Sequence, residues 1–296
     1  MFRLLRRKRV PWVVLENVPF MLQLSQGRAM AVIVAAVEDL GYRWAYRVVN
    51  SRAFGVPQRR ERVVFVATTE GDPRRVLFAD VADEPTPIDD AVDKVACGFY
   101  WTEGIRGLGW AADAVPTLKG GSTIGIASPP AILMPDGVVV TPDIRDAERL
   151  QGFAPDWTVP ANNVTRATHR WKLVGNAVTV DMAEWLGARL RAPSEVECEV
   201  ACSPMQRRAS WPRAAFNVGS GIRAVDISAF PCVEPHQPLH RWLKYPGRPL
   251  SLKATRGFLQ RTEVSSLNFP SMFLKRLRGH LRAMERATNL ERVSVA

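Results

Sequence analysis

The sequence predicts an α/β fold, in which half of an open sheet is followed by a loop-rich region built on short strands. Two observations carry this. Residues 11–69 read strand, amphipathic helix, strand, loop, strand. From residue 70 the composition shifts to Gly, Pro, Asp and Thr, with short strands at most. A three-strand piece leaves an apolar edge bare, so residues 11–69 are not expected to be a complete domain.

The 296 residues allow about two domains, and a hydrophobic share of 47% supports a core. The net charge of +11 suits a polyanionic partner. Nucleic acid is favoured over membrane because no basic amphipathic helix dominates. No apolar run reaches the length of a membrane span. The four cysteines, Cys97, Cys198, Cys202 and Cys232, read as reduced cytosolic thiols. A cytoplasmic location follows from the same reading.

Residues 1–10 hold five basic residues. They fit either a free basic arm or the end of a surface helix. Pro11 to Val18 is a strand, apolar through Leu15, that stops on Glu16 and Asn17. An acid at the carboxyl end of a buried strand sits where open α/β sheets bind ligands. A polar group there also serves to start the next element, and both readings stand. Ser25 to Leu40 is a helix with Met30, Ile33, Val34, Val37 and Leu40 on one face, ended by Gly41. Tyr42 to Val49 is a strand, and Arg62 to Thr69 is another that pairs with it as an antiparallel hairpin.

The stretch from Phe54 to Thr69 is unusual. A Gly-x-Pro turn leads into Arg59, Arg60, Glu61 and Arg62, and then into the apolar run Val63 to Val66. Fixed cations at the mouth of a buried strand are costly for stability alone. They suit acceptor-rich ligands, because arginine presents a rigid donor fork.

Residues 71–143 look like a loop-built recognition surface, and composition equally fits an ordinary irregular domain. Gly98 to Trp110 alternates aromatics with glycines, and Val115 to Ser122 offers Thr117, Lys119 and two glycines. Asp143 to Gly152 is a short capped helix with Arg145 and Arg149 on one face. Arg170 to Val180 is a loop leading into a helix that runs to Leu190. In it, Gly175-Asn176 is placed to contact a small polar ligand. Residues 193–296 form a basic extension. Its last helix, Pro270 to Ala287, carries a seam of Phe273, Leu277 and Leu281.

Four short motifs recur in a familiar order: Glu16-Asn17-Val18; Gln58 to Arg62; Arg145 to Phe153; and Gly175-Asn176-Ala177-Val178. In this order and spacing the chain resembles the DNA (cytosine-5)-methyltransferase family over residues 11–190. The resemblance implies the second half of a Rossmann-like sheet at residues 1–70 and a target recognition region at 71–143. It implies a return to the catalytic domain at 144–192, followed by the extension.

The chemistry it implies is methyl transfer from S-adenosylmethionine to C5 of cytosine in double-stranded DNA, with the base flipped out of the helix. A cysteine thiolate adds to C6 and makes C5 enamine-like. Glu16 then contacts N3 and the 4-amino group, protonating N3, while Arg62 contacts O2 and Arg60 supports them. Asn176 and the Ala177 backbone match positions near the methyl donor. Ala177 replaces the commoner serine, which removes a side-chain contact. On the DNA side the implied residues are Gln58, Thr117, Leu118, Lys119 and Arg149, with Gln151 supporting the recognition region.

The family's glycine-rich donor turn, its ribose-binding acid and its Pro-Cys-Gln loop have no counterpart in these 296 residues. Pro231-Cys232-Val233 is the nearest substitute, but it lacks the glutamine and the neighbouring glycine-rich turn. A complementing N-terminal half is therefore the expected partner, with a truncated fragment or a non-catalytic DNA-binding module as alternatives. Cys198-x3-Cys202 with Cys232-x3-His236 has no common zinc spacing, and no metal is expected.

Overall fold

The computed structural model describes residues 1–86, 93–121, 127–194, 201–205 and 210–295, with side chains to residue 288. The chain is α/β and divides into two compact units.

The first unit comprises Met1–Phe54, Glu61–Pro85 and Asp181–Glu234. Its first helix α1 (Phe2–Arg7) buries Leu5, so the basic start is a surface helix and not a free arm. Strands β1 (Trp12–Asn17) and β2 (Arg43–Asn50) flank β4 (Glu61–Thr68), which is antiparallel to both. The expected hairpin of β2 and β4 is present. Its last strand also inserts between β1 and β2. The physical reason is composition: β4 and β2 are buried on both faces almost throughout, as central strands must be. Among the described residues β1 pairs on one side only.

Helix α2 (Arg28–Glu38) crosses from β1 to β2 and buries Met30, Val34 and Val37 against the sheet. It starts three residues later than the apolar spacing suggests. Ser25, Gln26 and Gly27 take left-handed backbone angles, and a Cβ on Gly27 would stand 2.8 Å from the Trp211 ring. Trp44 stacks on Phe65 at 5.7 Å between ring centres, and Trp211 meets Trp44 edge-on at 6.2 Å.

Residues 193–234, expected as part of one extension, extend this sheet. Strand β11 (Ala214–Asn217) pairs with β2, followed by β12 (Arg223–Val225) and β10 (Cys202–Pro204). The short helix α3 (Arg74–Leu77) and helix α6 (Val180–Arg191, from Asp181 onward) complete the unit. Arg47, fully buried on β2, pins the surrounding loops. Its guanidinium donates to the carbonyls of Leu77, Asp80 and Ser228 at 2.7–2.9 Å. Burial lowers its pKa to about 10 despite the nearby Asp80 carboxylate.

The second unit comprises Gly55–Arg60, Thr86–Val180 and Pro235–Ala296. Short strands are what the composition of this region predicts. Strands β5 (Cys97–Phe99), β6 (Trp110–Ala112), β8 (Ala131–Leu133), β9 (Val139–Thr141) and β13 (Arg248–Pro249) form one sheet, ordered β13-β9-β8-β5-β6. Strand β3 (Gln58–Arg59) runs parallel to β7 (Val115–Pro116).

Helices α8 (Leu252–Glu263) and α9 (Ser271–Val295) cover this sheet. Phe258, Phe273 and Leu277 pack among Cys97, Phe99, Leu133 and Val139. The rear of the basic extension is therefore part of the core of this unit. Helices α4 (Ile144–Arg149), α5 (His169–Asn176) and the short α7 (Leu239–Trp242) form a second cluster around Leu118, Ala147, Leu150 and Val174. Residues 169–176 were expected as a loop. They form a helix because Val174 packs in that cluster, and the chain breaks only where Ala177 turns extended.

Candidate active site and nucleic-acid interface

In the first unit, Glu16 faces Val64 in the β1–β4 register, and Arg62 lies two residues from Val64. Side chains alternate along a strand, so Glu16 and Arg62 share a face as diagonal neighbours. Arg62 Nε stands 2.7 Å from Glu16 Oε1, and its Nη1 donates to Glu61 O at 2.7 Å. Arg62 is buried, while the Glu16 side chain keeps 30% exposure. The result is a carboxylate at the carboxyl end of a strand, oriented by a guanidinium and still open on one side. Such a pair presents acceptor and donor chemistry to one planar polar ligand.

In the second unit the remaining motif residues form one buried network. Gln58 is fully buried. Its Nε2 donates to Leu150 O at 2.8 Å and Gln151 Oε1 at 3.3 Å, and its Oε1 accepts from Leu118 N at 3.0 Å. Gln151 donates to Val174 O at 2.8 Å and accepts from Thr179 at 2.9 Å. Arg60, 1% exposed, donates to the carbonyls of Leu118 and Gly175 at 3.2 Å and of Ala177 at 2.6 Å. Three chain segments are thus joined by charged and amide hydrogen bonds, which are costly to break inside a core. Gln58, Leu118 and Arg60 lie inside this unit. Arg59 between them is exposed.

The loop after β7 packs closely on α5. A Cβ on Gly175 would stand 2.3 Å from Lys119 C and 2.4 Å from Gly120 N. One on Gly120 would stand 2.7 Å from Asn176 Oδ1. These glycines let two backbones meet, and the Asn176 side chain stays exposed at the end of α5. The Lys119 ammonium lies 3.9 Å over the Tyr100 ring and 3.1 Å from Glu103. Tyr100 OH donates to Thr117 O at 2.7 Å, and Thr117 Oγ1 donates to Arg59 O at 3.0 Å. Thr117, Lys119 and Arg59 therefore share one surface of the unit. Sequence reading passed over Tyr100 and Glu103. Their signal was the aromatic-glycine stretch, which left open which ring would face a cation.

The helix α4 motif is the hub of this unit. Asp143 caps it by accepting from Arg145 N at 2.9 Å. Asp146, fully buried, accepts from Lys244 N and Tyr245 N at 3.0 Å each and from Arg149 at 2.8 Å. Arg149 also donates to Trp242 O and lies 5.0 Å over the Trp242 ring. Glu148 accepts from Asp156 N at 2.6 Å, Thr158 N at 2.8 Å and Arg170 at 2.9 Å. Arg149 thus clamps residues 242–245 within the unit. Sequence reading missed the Glu148–Arg170 pair because its partners are 22 residues apart.

The described cysteines do not have the environment of an activated thiolate, which needs a lowered pKa. Burial pushes the Cys97 thiol up to about 11. Burial, with the Glu234 and Asp80 charges behind it, also raises Cys232, which donates to Ala53 O at 3.4 Å. Cys202 is exposed. Cys198 lies outside the described residues, and with it the zinc constellation as a whole. Among the described residues no cluster of metal-ligating side chains occurs, and no helix is long and apolar enough to cross a membrane.

A family model described as C-5 cytosine-specific DNA methylase matches residues 1–96. The Type II methyltransferase M2.BsuMI of Bacillus subtilis (strain 168) is 40% identical over 300 residues. That match covers 94% of this chain and 74% of the relative. The Type II methyltransferase M.SsoII of Shigella sonnei is 25% identical over 213 residues, covering 64% of this chain and 55% of that protein. Among solved structures, the S. pombe Dnmt2 methyltransferase aligns with a TM-score of 0.40 at 15% identity, over 65% of this chain and 70% of that one. A likeness that low carries no argument about the fold.

Proposed function

As the chain belongs to the C-5 cytosine-specific DNA methylase family, we propose that it transfers methyl from S-adenosylmethionine to C5 of cytosine in duplex DNA. The observation that supports this most is the Glu16–Arg62 pair, 2.7 Å apart at the end of β1. In this reading Glu16 meets the N3 and 4-amino edge of a flipped cytosine and donates a proton to N3. Arg62 meets O2. Charge that develops on the ring as a thiolate adds to C6 is then stabilised by donors already in place. Arg60 is a positioning residue, since its three carbonyl contacts hold the segment that leads into Arg62.

Asn176 and the backbone at Ala177 take the donor side. The exposed Asn176 amide, on a helix end kept open by Gly120 and Gly175, fits a polar small molecule. It supplies only part of such a site. Lys119, Thr117 and the exposed Arg59 face the DNA, while Gln58, Leu118 and Arg149 hold the surface that presents them.

The thiolate and most of the donor site come from residues outside these 296. The raised pKa values of Cys97 and Cys232 favour this, as does the lack of any Pro-Cys-Gln sequence. The unpaired side of β1 is the natural place for further strands. A cytoplasmic, DNA-associated location goes with this function.

The test is methyl transfer from labelled S-adenosylmethionine to mixed-sequence duplex DNA. It is run with the chain alone and then with the Pro-Cys-Gln half encoded immediately upstream, either joined or as a separate chain. Transfer only with the added half supports the proposal. Transfer by the chain alone that is lost in Cys232→Ala overturns the assignment of the nucleophile. No transfer in either arm overturns the function.

A further inference from the structure

The α8–α9 pair carries charge that the proposed chemistry does not use. Residues 251–288 hold eight Lys and Arg (Lys253, Arg256, Arg261, Lys275, Arg276, Arg278, Arg282 and Arg286) against Glu263 and Glu285. That is +8 − 2 = +6 of the chain's net +11.

The charge is sorted by face. On α9, Lys275, Arg278, Arg282 and Arg286 recur at i, i+3, i+7 and i+11 and are all exposed. Phe273 and Leu277 on the opposite face are fully buried against the sheet. On α8, Lys253 and Arg256 are exposed, opposite the buried Phe258 and Leu259. The α9 stripe runs for about 16 Å, one cation per turn or so.

A solvated helix face normally mixes both signs. In this stretch one acid, Glu285, sits near the stripe, and it is engaged by Arg256 at 2.9 Å. Beside α8, a cleft of about 960 Å³ is lined by Trp101, Ser128, Lys253, Arg256 and Arg261, and the first turn of α8 forms one wall. The apolar side of the hairpin is spent on the core, so no face is left to enter a bilayer. The partner that fits a rigid one-signed stripe is a regularly charged polyanion.

We propose that the outer face of α8–α9 binds the phosphodiester backbone of duplex DNA flanking the target cytosine. It lengthens the footprint without reading sequence, because phosphate contacts position and carry no base information. The inference rests on the reading of duplex DNA as the substrate.

The test uses the full chain and fluorescence anisotropy with 12-bp and 30-bp mixed-sequence duplexes between 50 and 200 mM salt. Lys275→Gln, Arg278→Gln, Arg282→Gln and Arg286→Gln are combined in one variant. Each lost phosphate contact lowers the log–log salt slope by about 0.9, so the slope on the 30-bp duplex falls by about 3. The advantage of the 30-bp over the 12-bp duplex disappears. A charge-keeping variant, Arg278→Lys, Arg282→Lys and Arg286→Lys, restores both. An unchanged slope in the glutamine variant overturns the proposal. So does tighter binding of wild type to vesicles of phosphatidylglycerol and phosphatidylcholine than to the 30-bp duplex. If the glutamine variant fails to fold, Lys253→Gln with Arg256→Gln on α8 reads the same face, and a slope unchanged there also overturns it. Methyl transfer measured in parallel separates the two ideas. A fall in slope without methyl transfer removes the enzyme reading and keeps the DNA surface, and the converse removes the surface alone.

Discussion

Arg62 Nε meets Glu16 Oε1 at 2.7 Å across two antiparallel strands, a pairing of residues 46 positions apart. The register sets it, since both side chains leave the same face of the β1–β4 ladder. The arginine is locked by Glu61 O on its other side, so the carboxylate has one fixed orientation. Replacing Glu16 by Gln keeps the shape and removes the charge. Methyl transfer in the complemented enzyme falls by about 10²-fold or more. Arg62→Lys does the same, since a lysine cannot hold Glu16 and Glu61 O with one planar fork. Label transfer measures both, with DNA anisotropy as the control that binding persists.

Arg60→Met leaves three buried carbonyls without their donor. At about 1–3 kcal/mol for each buried group left unsatisfied, the unfolding free energy drops by about 3 kcal/mol or more. Urea denaturation followed by tryptophan fluorescence checks this. A midpoint equal to wild type removes Arg60 from the positioning role.

Gly175→Ala forces a methyl group into the Lys119–Gly120 backbone. Overpacking of this kind costs about 1–3 kcal/mol. The melting temperature falls, and because the loop carrying Lys119 must move, affinity for duplex DNA falls with it. Gly137→Ala, where a Cβ meets nothing within 4 Å but φ is +90°, is strained locally and leaves DNA affinity intact.

Asp143 titrates below the usual carboxylate range because the Arg145 side chain donates to it, which outweighs its partial burial. A carboxylate with a depressed folded pKa contributes stability above its unfolded pKa, about 3.9, and loses it as pH falls through the folded value. Asn is as good a cap as Asp, so Asp143→Asn isolates the charge. The stability gap between wild type and variant is small at pH 7, under about 1 kcal/mol, as expected for a partly exposed pair. It closes as pH drops below about 4. Urea midpoints across that range decide it.

Alkylation with iodoacetamide at pH 8 modifies Cys202 before Cys232, and Cys97 only on unfolding. The thiolate reacts, and burial holds Cys97 protonated up to about 11. Peptide mapping by mass spectrometry reads the order. Rapid loss of Cys97 under native conditions contradicts it.

The sequence by itself determined the strands and helix of residues 11–69, because their periods of 2 and 3.6 are local. The left-handed Gly41 after α2 and the Asp143 cap were legible for the same reason. The motif order determined the family. Tertiary structure alone decided that β4 lies between β1 and β2, since strand order depends on which strand is buried on both faces. It alone turned Gln58, Leu118 and Arg60 inward, leaving Arg59 and Lys119 on the surface. Burial of a polar side chain depends on which distant carbonyls reach it, and no local pattern records that. The basic extension is the clearest case. Composition marked it as one segment, but its front joins the sheet of the first unit through β11, and its rear buries Phe258 and Phe273 in the second. Charge drew attention to the whole stretch, and packing sorted it.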